Sequence, residues 1–140
     1  MNKRLGARTV QLTHPPAVLS FAAVGGHMEG KGPLREFFDE ISEDHFWGQK
    51  TWEQGESTMQ KHALSKALEK ATLHEEDVDC VFAGDLLNQC IGSSFSLRES
   101  NIPFYGLYGA CSTMALTLAS CAMLVDGGAN CCVGGASSHF

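Results

Sequence analysis

Apolar positions in this chain come in blocks, and the spacing inside each block predicts its element. Residues 17–24 form an almost continuous apolar run closed by Gly25 and Gly26, the pattern of a strand covered on both faces. Pro33, after Gly30-Lys31-Gly32, predicts a short helix carrying Phe37, Phe38 and Ile41, with an acidic, solvated outer face over residues 39–44. From Thr51 to about Thr72, Met59, Ala63, Ala67 and Ala71 recur at helical spacing. Leu64 and Leu68 widen that stripe, while Lys61, Lys66, Glu69 and Lys70 lie off it. Thr51 with Gln54 three residues on predicts the helix start. A second buried strand follows at 78–84, a helix at 90–99, a third strand at 104–108, a long uncharged helix at 114–125 closed by Asp126-Gly127-Gly128, and a fourth strand at 130–135. Strands that alternate with helices and read as buried on both faces predict an α/β fold with a mainly parallel sheet. No internal repeat is visible.

Composition narrows the function classes. The 140 residues suit one ordinary domain, and 44% apolar content suffices for a core. A formal net charge of −6 leaves no basic footprint, so nucleic acid is not an expected partner. The run at 114–125 is too short for a membrane span, which needs roughly 20 apolar residues. The start is basic, but no uninterrupted apolar stretch follows before Pro15-Pro16, so synthesis in the cytoplasm without a secretory leader is expected. Charge placement says more than charge total. Of all the Lys, Arg, Asp and Glu residues, only Asp126 falls beyond Glu99. A helix apolar on every side belongs inside a core. The last third is therefore expected to be buried almost all round, under a cover this chain does not supply, which makes residues 1–140 an expected first half of a longer protein.

Six cysteines stand at 80, 90, 111, 121, 131 and 132, with no C-x-x-C pair. Adjacent Cys131 and Cys132 should point to opposite faces of a strand, so a zinc or disulfide framework is not the expectation. Five of the six read as reduced packing thiols. Cys111 differs by context: Gly109-Ala110-Cys111-Ser112-Thr113 is a turn between a strand and a helix, where unpaired N–H groups and the helix dipole favour negative charge. Small neighbours leave room for a ligand. The competing reading is a buried cysteine acting as a small hydrophobe. In open α/β sheets ligands gather at the carboxyl ends of strands. Three polar clusters fall at such ends here, namely Asp85 with Asn88, then Cys111, Ser112 and Thr113, then Ser137, Ser138 and His139. Taken singly, Asp85 reads equally as a helix cap, Ser112 and Thr113 as first-turn residues, and Ser138 as a turn.

Four motifs carry a resemblance that covers the chain from about His14 onward: Ala83-Gly84-Asp85-Leu86-Leu87-Asn88-Gln89, Ile102-Pro103-Phe104, Gly109 to Thr113, and Ala136-Ser137-Ser138-His139. Together they resemble the stage V sporulation protein AD (SpoVAD) family of spore-forming bacteria, itself similar to the thiolase and 3-oxoacyl-acyl-carrier-protein synthase III superfamily. The resemblance implies the first half of a thiolase-like fold and a non-enzymatic part in taking up dipicolinate, or its calcium chelate, into the spore. The implied location is peripheral at the spore inner membrane, beside other transport proteins, with a homodimer expected at full length and no cofactor. The implied ligand set is N–H groups near Cys111 and Ser112, hydroxyls of Thr113, Ser137 and Ser138, and the side chains of Asn88 and His139. Asp85 would repel a dianion unless a cation such as calcium bridges it. In acyl-transferring relatives the cysteine matched by Cys111 is the nucleophile, which makes an acyltransferase the alternative. Its His and Asn partners come from the other half. His139 is not assigned as the base, and His14, His27, His45, His62 and His74 are expected at the surface.

Overall fold

The computed structural model describes residues 3–139; Met1, Asn2 and the terminal Phe140 lie outside them. Strands β1 (Arg4–Leu5) and β2 (Thr9–Val10) form a small antiparallel hairpin that the sequence reading had not anticipated. Strand β3 (Val24–Gly25) pairs in parallel with β4 (Glu40–Ile41). Helix α1 (Trp52–Ala71) follows, then β5 (Cys80–Asp85), α2 (Ile91–Leu97), β6 (Phe104–Gly106), α3 (Thr113–Asp126) and β7 (Cys132–Ser137). The three longest-spaced strands form one parallel sheet in the order β6-β5-β7. The α/β class with parallel strands is thus the observed one.

Local chemistry explains the elements that match. Thr51 is extended, and its hydroxyl accepts the N–H of Gln54, so α1 starts where a capping residue meets its stripe. At the other end Thr72 takes a left-handed conformation and closes the helix. Strand β5 is central and almost entirely buried. Val81 and Ala83 face one side, where they join Leu68 of α1, Leu97 of α2, Val78 and Ile102 in the main apolar cluster. Because side chains alternate along a strand, Cys80, Phe82 and Gly84 face the other side, against α3. A Cβ on Gly84 would stand 1.8 Å from the carbonyl oxygen of Leu107, so only glycine permits the chain after β6 to run so close to β5.

Several expectations change. Residues 17–23 are not a buried strand: they pair with no strand among the described residues, and Val18 and Phe21 are 79% and 73% exposed. Only Val24 and Gly25 find a parallel neighbour, since a strand needs partners all along its backbone and within the run only Ala23 has one, in Asp39. Pro33 opens no helix; a single tight turn at Arg35–Phe37 follows, and Ile41 lies on β4. The acidic stretch is more than a solvated surface, for Asp39 pairs with Lys70 at 2.8 Å, Glu40 with His62 at 2.9 Å and Glu43 with His27 at 2.6 Å. The final third, by contrast, is as expected of a segment whose cover this chain does not supply: it is not buried all round. Helix α3 buries Thr113 and Thr117 against the sheet, while Met114, Leu118 and Met123 remain exposed because nothing among the described residues covers that face. No described helix is long and apolar enough to cross a membrane.

Asp126, at the end of α3, has a structural task. Its carboxylate accepts Lys3 Nζ at 2.5 Å and the N–H groups of Thr13 and His14 at 2.8 and 2.7 Å, which tie the amino-terminal segment to this helix. The lysine and those N–H groups hold its carboxyl below the usual aspartate range.

Candidate functional site

Cys111 sits in a tight turn, Ala110–Ser112, that leads directly into α3, and its side chain is exposed. Ala110 adopts φ of +48°, a left-handed conformation that an L side chain resists. Hydrogen bonds hold it there. The Ser112 hydroxyl donates to Gly109 O at 2.6 Å, and Thr113 Oγ1 donates to Ala110 O at 2.8 Å while accepting the Gly109 N–H at 3.1 Å.

Beside it lies an open concavity of about 360 Å3, lined by Leu86, Ala110, Cys111, Thr113, Met114, Ala136, Ser137 and Ser138. It sits where β5 and β7 end and α3 begins. Four of the eight predicted residues therefore border it, Cys111, Thr113, Ser137 and Ser138, although the hydroxyl of Thr113 is held by its own turn and that of Ser137 bonds Glu56 on the far face of the sheet. The thiol is not sealed in hydrocarbon.

Of the other four, Asp85, Ser112 and His139 are engaged elsewhere, and Asn88 does not line the concavity. Asp85 is fully buried, and its carboxylate accepts the N–H of Asn88 at 2.8 Å, the N–H of Ser93 at 3.1 Å and the Ser93 hydroxyl at 3.2 Å. It caps the start of α2, so the capping alternative describes it better than a ligand contact. Asn88 contributes its backbone to that cap, and the hydroxyl of Ser112 is spent on its own turn. His139 is 9% exposed and turns away, with Nε2 on the carbonyl oxygen of His45 at 2.6 Å and its ring 5.1 Å from that of Trp52. His27, His45 and Trp52 continue this ring cluster; His45 is exposed, as expected, whereas His27 is half-buried rather than a surface group.

A polar cluster that sequence reasoning missed lies behind the concavity, on the α1 and α2 side of the sheet. Register pairs Ser137 with Asp85, so both side chains face that way. Ser137 Oγ donates to Glu56 Oε1 at 2.6 Å and accepts from Gln60 Nε2 at 2.5 Å. Gln60 also reaches Ser93 Oγ at 3.0 Å, which links Glu56 to Asp85 through side chains alone. Glu56 is 1% exposed. Burial pushes its carboxyl up, the Ser137 hydroxyl pulls it down, and the charge of Asp85 raises it further. One sequence signal existed: Glu56 and Gln60 occupy the same helical face as Met59, Ala63 and Ala67, where polar residues are out of place.

The remaining cysteines are quiet. Cys80 and Cys132 are register partners with Sγ atoms 3.6 Å apart, and all six are free thiols. Only Cys80 is fully buried; Cys90, Cys121, Cys131 and Cys132 are half-buried. Burial pushes Cys121 up to about 11 and Cys132 up to about 12, which suppresses thiolate chemistry there. Among the described residues no cluster of His, Cys, Asp or Glu is placed to hold a metal ion.

An α/β chain with an exposed cysteine on a strained turn between strand and helix defines a class of thiol-bearing sites at the carboxyl edge of a parallel sheet. The chain belongs to the stage V sporulation protein AD (SpoVAD) family, whose model matches residues 6–140. It is 38% identical over 138 residues to stage V sporulation protein AD of Bacillus subtilis (strain 168), a match that takes in 98% of this chain and 41% of that relative. The chain thus spans well under half the length of the curated relative it matches.

Proposed function

We propose that this chain forms the first half of a thiolase-like, non-enzymatic binding protein that holds dipicolinate, or its calcium chelate, during sporulation. In this reading the complete protein works at the periphery of the spore inner membrane with the transport proteins of the dipicolinate uptake machinery. The carrying observation is the concavity beside exposed Cys111, at the first turn of α3. A helix of this length presents a positive dipole end to an anion without any formal positive charge, with the N–H groups of Ser112 and Thr113 already bonded to the carbonyl oxygens of Gly109 and Ala110. The volume of about 360 Å3 lies within the range of small-ligand sites. Asp85 does not oppose the anion from inside the concavity, because its carboxylate is enclosed on the other face of the sheet. Membership of a sporulation family supports the biological setting.

A second reading, acyl transfer, is favoured by the exposed thiol on its left-handed turn. There the Cys111 thiolate would attack the carbonyl carbon of an acyl-coenzyme A, forming the new thioester as the old C–S bond breaks and coenzyme A leaves as its thiolate, which takes a proton from water. Calorimetric titration of the full-length protein with dipicolinate tests the first reading: saturable heat is the expected result, and its absence rejects it. Mass spectrometry after incubation with acyl-coenzyme A tests the second, through an adduct on Cys111.

A further inference from the structure

Two carboxylates are enclosed together behind the strand end that lines the concavity, and they are not equivalently served. Asp85 meets three donors, two of them backbone N–H groups. Glu56 receives the Ser137 hydroxyl at 2.6 Å and the His139 backbone N–H. Ser137 is the shared part: its hydroxyl lies on Glu56, and the residue itself lines the concavity. The two charged or titratable groups that act on Glu56 from packed elements are Asp85 on β5 and His139 after β7; His45 stands behind His139, and Glu53 on α1 itself is exposed.

We propose that Glu56 is a positioning residue of the ligand site, which clamps the carboxyl end of β7 through Ser137 and takes up a proton when an anion occupies the concavity. This deepens the binding reading above and rests on it. The physical reason is crowding of like charge. An anion seated at Ser137 and Ser138 adds a third negative charge to two buried carboxylates, and the cheapest relief is to neutralise the one with fewer donors. A protonated Glu56 still bonds to Ser137, either accepting from it or donating to its Oγ, so the clamp persists while the charge is lost. Burial and the Asp85 charge already raise its proton affinity before any ligand arrives. Binding and protonation then favour each other reciprocally.

The test uses the full-length protein and dipicolinate above the pH at which the free acid has lost both protons. Titration in two buffers of different ionisation enthalpy counts protons taken up. The expected result is net uptake of up to about one proton in the wild type, with Kd rising by up to about tenfold per pH unit above the Glu56 pKa. Glu56→Gln, which keeps the Ser137 contact, should bind with no uptake and a flat pH profile. Equal uptake in wild type and Glu56→Gln, or none in either while binding persists, overturns the proposal. If dipicolinate does not bind at all, the ligand reading falls separately, and infrared spectra of the free protein decide the role of Glu56. A protonated-carboxyl band that titrates above the ordinary glutamate range and vanishes in Glu56→Gln supports it; no such band overturns it.

Discussion

Replacing Asp85 by alanine separates a structural carboxylate from a ligand-binding one. The side chain is fully buried, and its removal leaves two backbone N–H groups, those of Asn88 and Ser93, without their acceptor. A buried donor left unmet costs about 1–3 kcal/mol. Ser93 is itself wholly buried and takes the upper end of that range, whereas half-buried Asn88 gains some solvent and takes the lower. With the lost hydroxyl bond the sum comes to about 3–5 kcal/mol, the size of a diagnostic core defect. Asp85→Asn retains one acceptor oxygen and should lose about 1–2 kcal/mol by the same reckoning. The assay is chemical denaturation of the full-length protein, read as a midpoint shift at constant slope, with ligand affinity measured on the folded fraction. Asp85→Ala with stability within about 1 kcal/mol of wild type, or with affinity lost and stability kept, would refute the capping argument.

Other substitutions probe other contacts. Cys111→Ala should weaken ligand binding without loss of fold, because an exposed thiol leaves no cavity; unchanged affinity in titration would make the sulfur a bystander. Gly84→Ala should prevent β6 from pairing normally with β5, since the added Cβ meets a backbone oxygen that no rotamer change can move; wild-type hydrogen exchange across residues 80–85 and 104–107 would contradict the stated distance. Asp126 has a lowered folded carboxyl pKa, so its contribution is present above the unfolded value and disappears as pH falls through the folded one. Limited proteolysis should accordingly release residues 3–14 in Asp126→Asn at neutral pH, and in the wild type only under acid conditions.

Legibility along the chain followed the range of the interactions. Periodicity and caps are local, so α1 with its Thr51 cap, the central strand β5, the strand-turn-helix around Cys111 and the order of alternation were readable directly. The spacing of small residues around Cys111 also marked the one thiol that the fold leaves exposed. Tertiary structure decided what depends on neighbours. The apolar run at 17–23 looks like a buried strand by composition, yet a strand exists only when another segment pairs along its backbone, and here only Ala23 is met, by the N–H and carboxylate of Asp39. Asp85 and Ser137 fall at strand ends beside the concavity in sequence order. The two-residue alternation of the sheet then turns both side chains to the far face, where Asp85 caps α2 and Ser137 finds Glu56. Glu56 itself, 81 positions from Ser137, became visible only once α1 was packed against β7. Sequence determined which segments could be helices and strands because that information lies within a few residues; folding alone determined which face each side chain took and which charges were buried together, because those depend on contacts between distant segments.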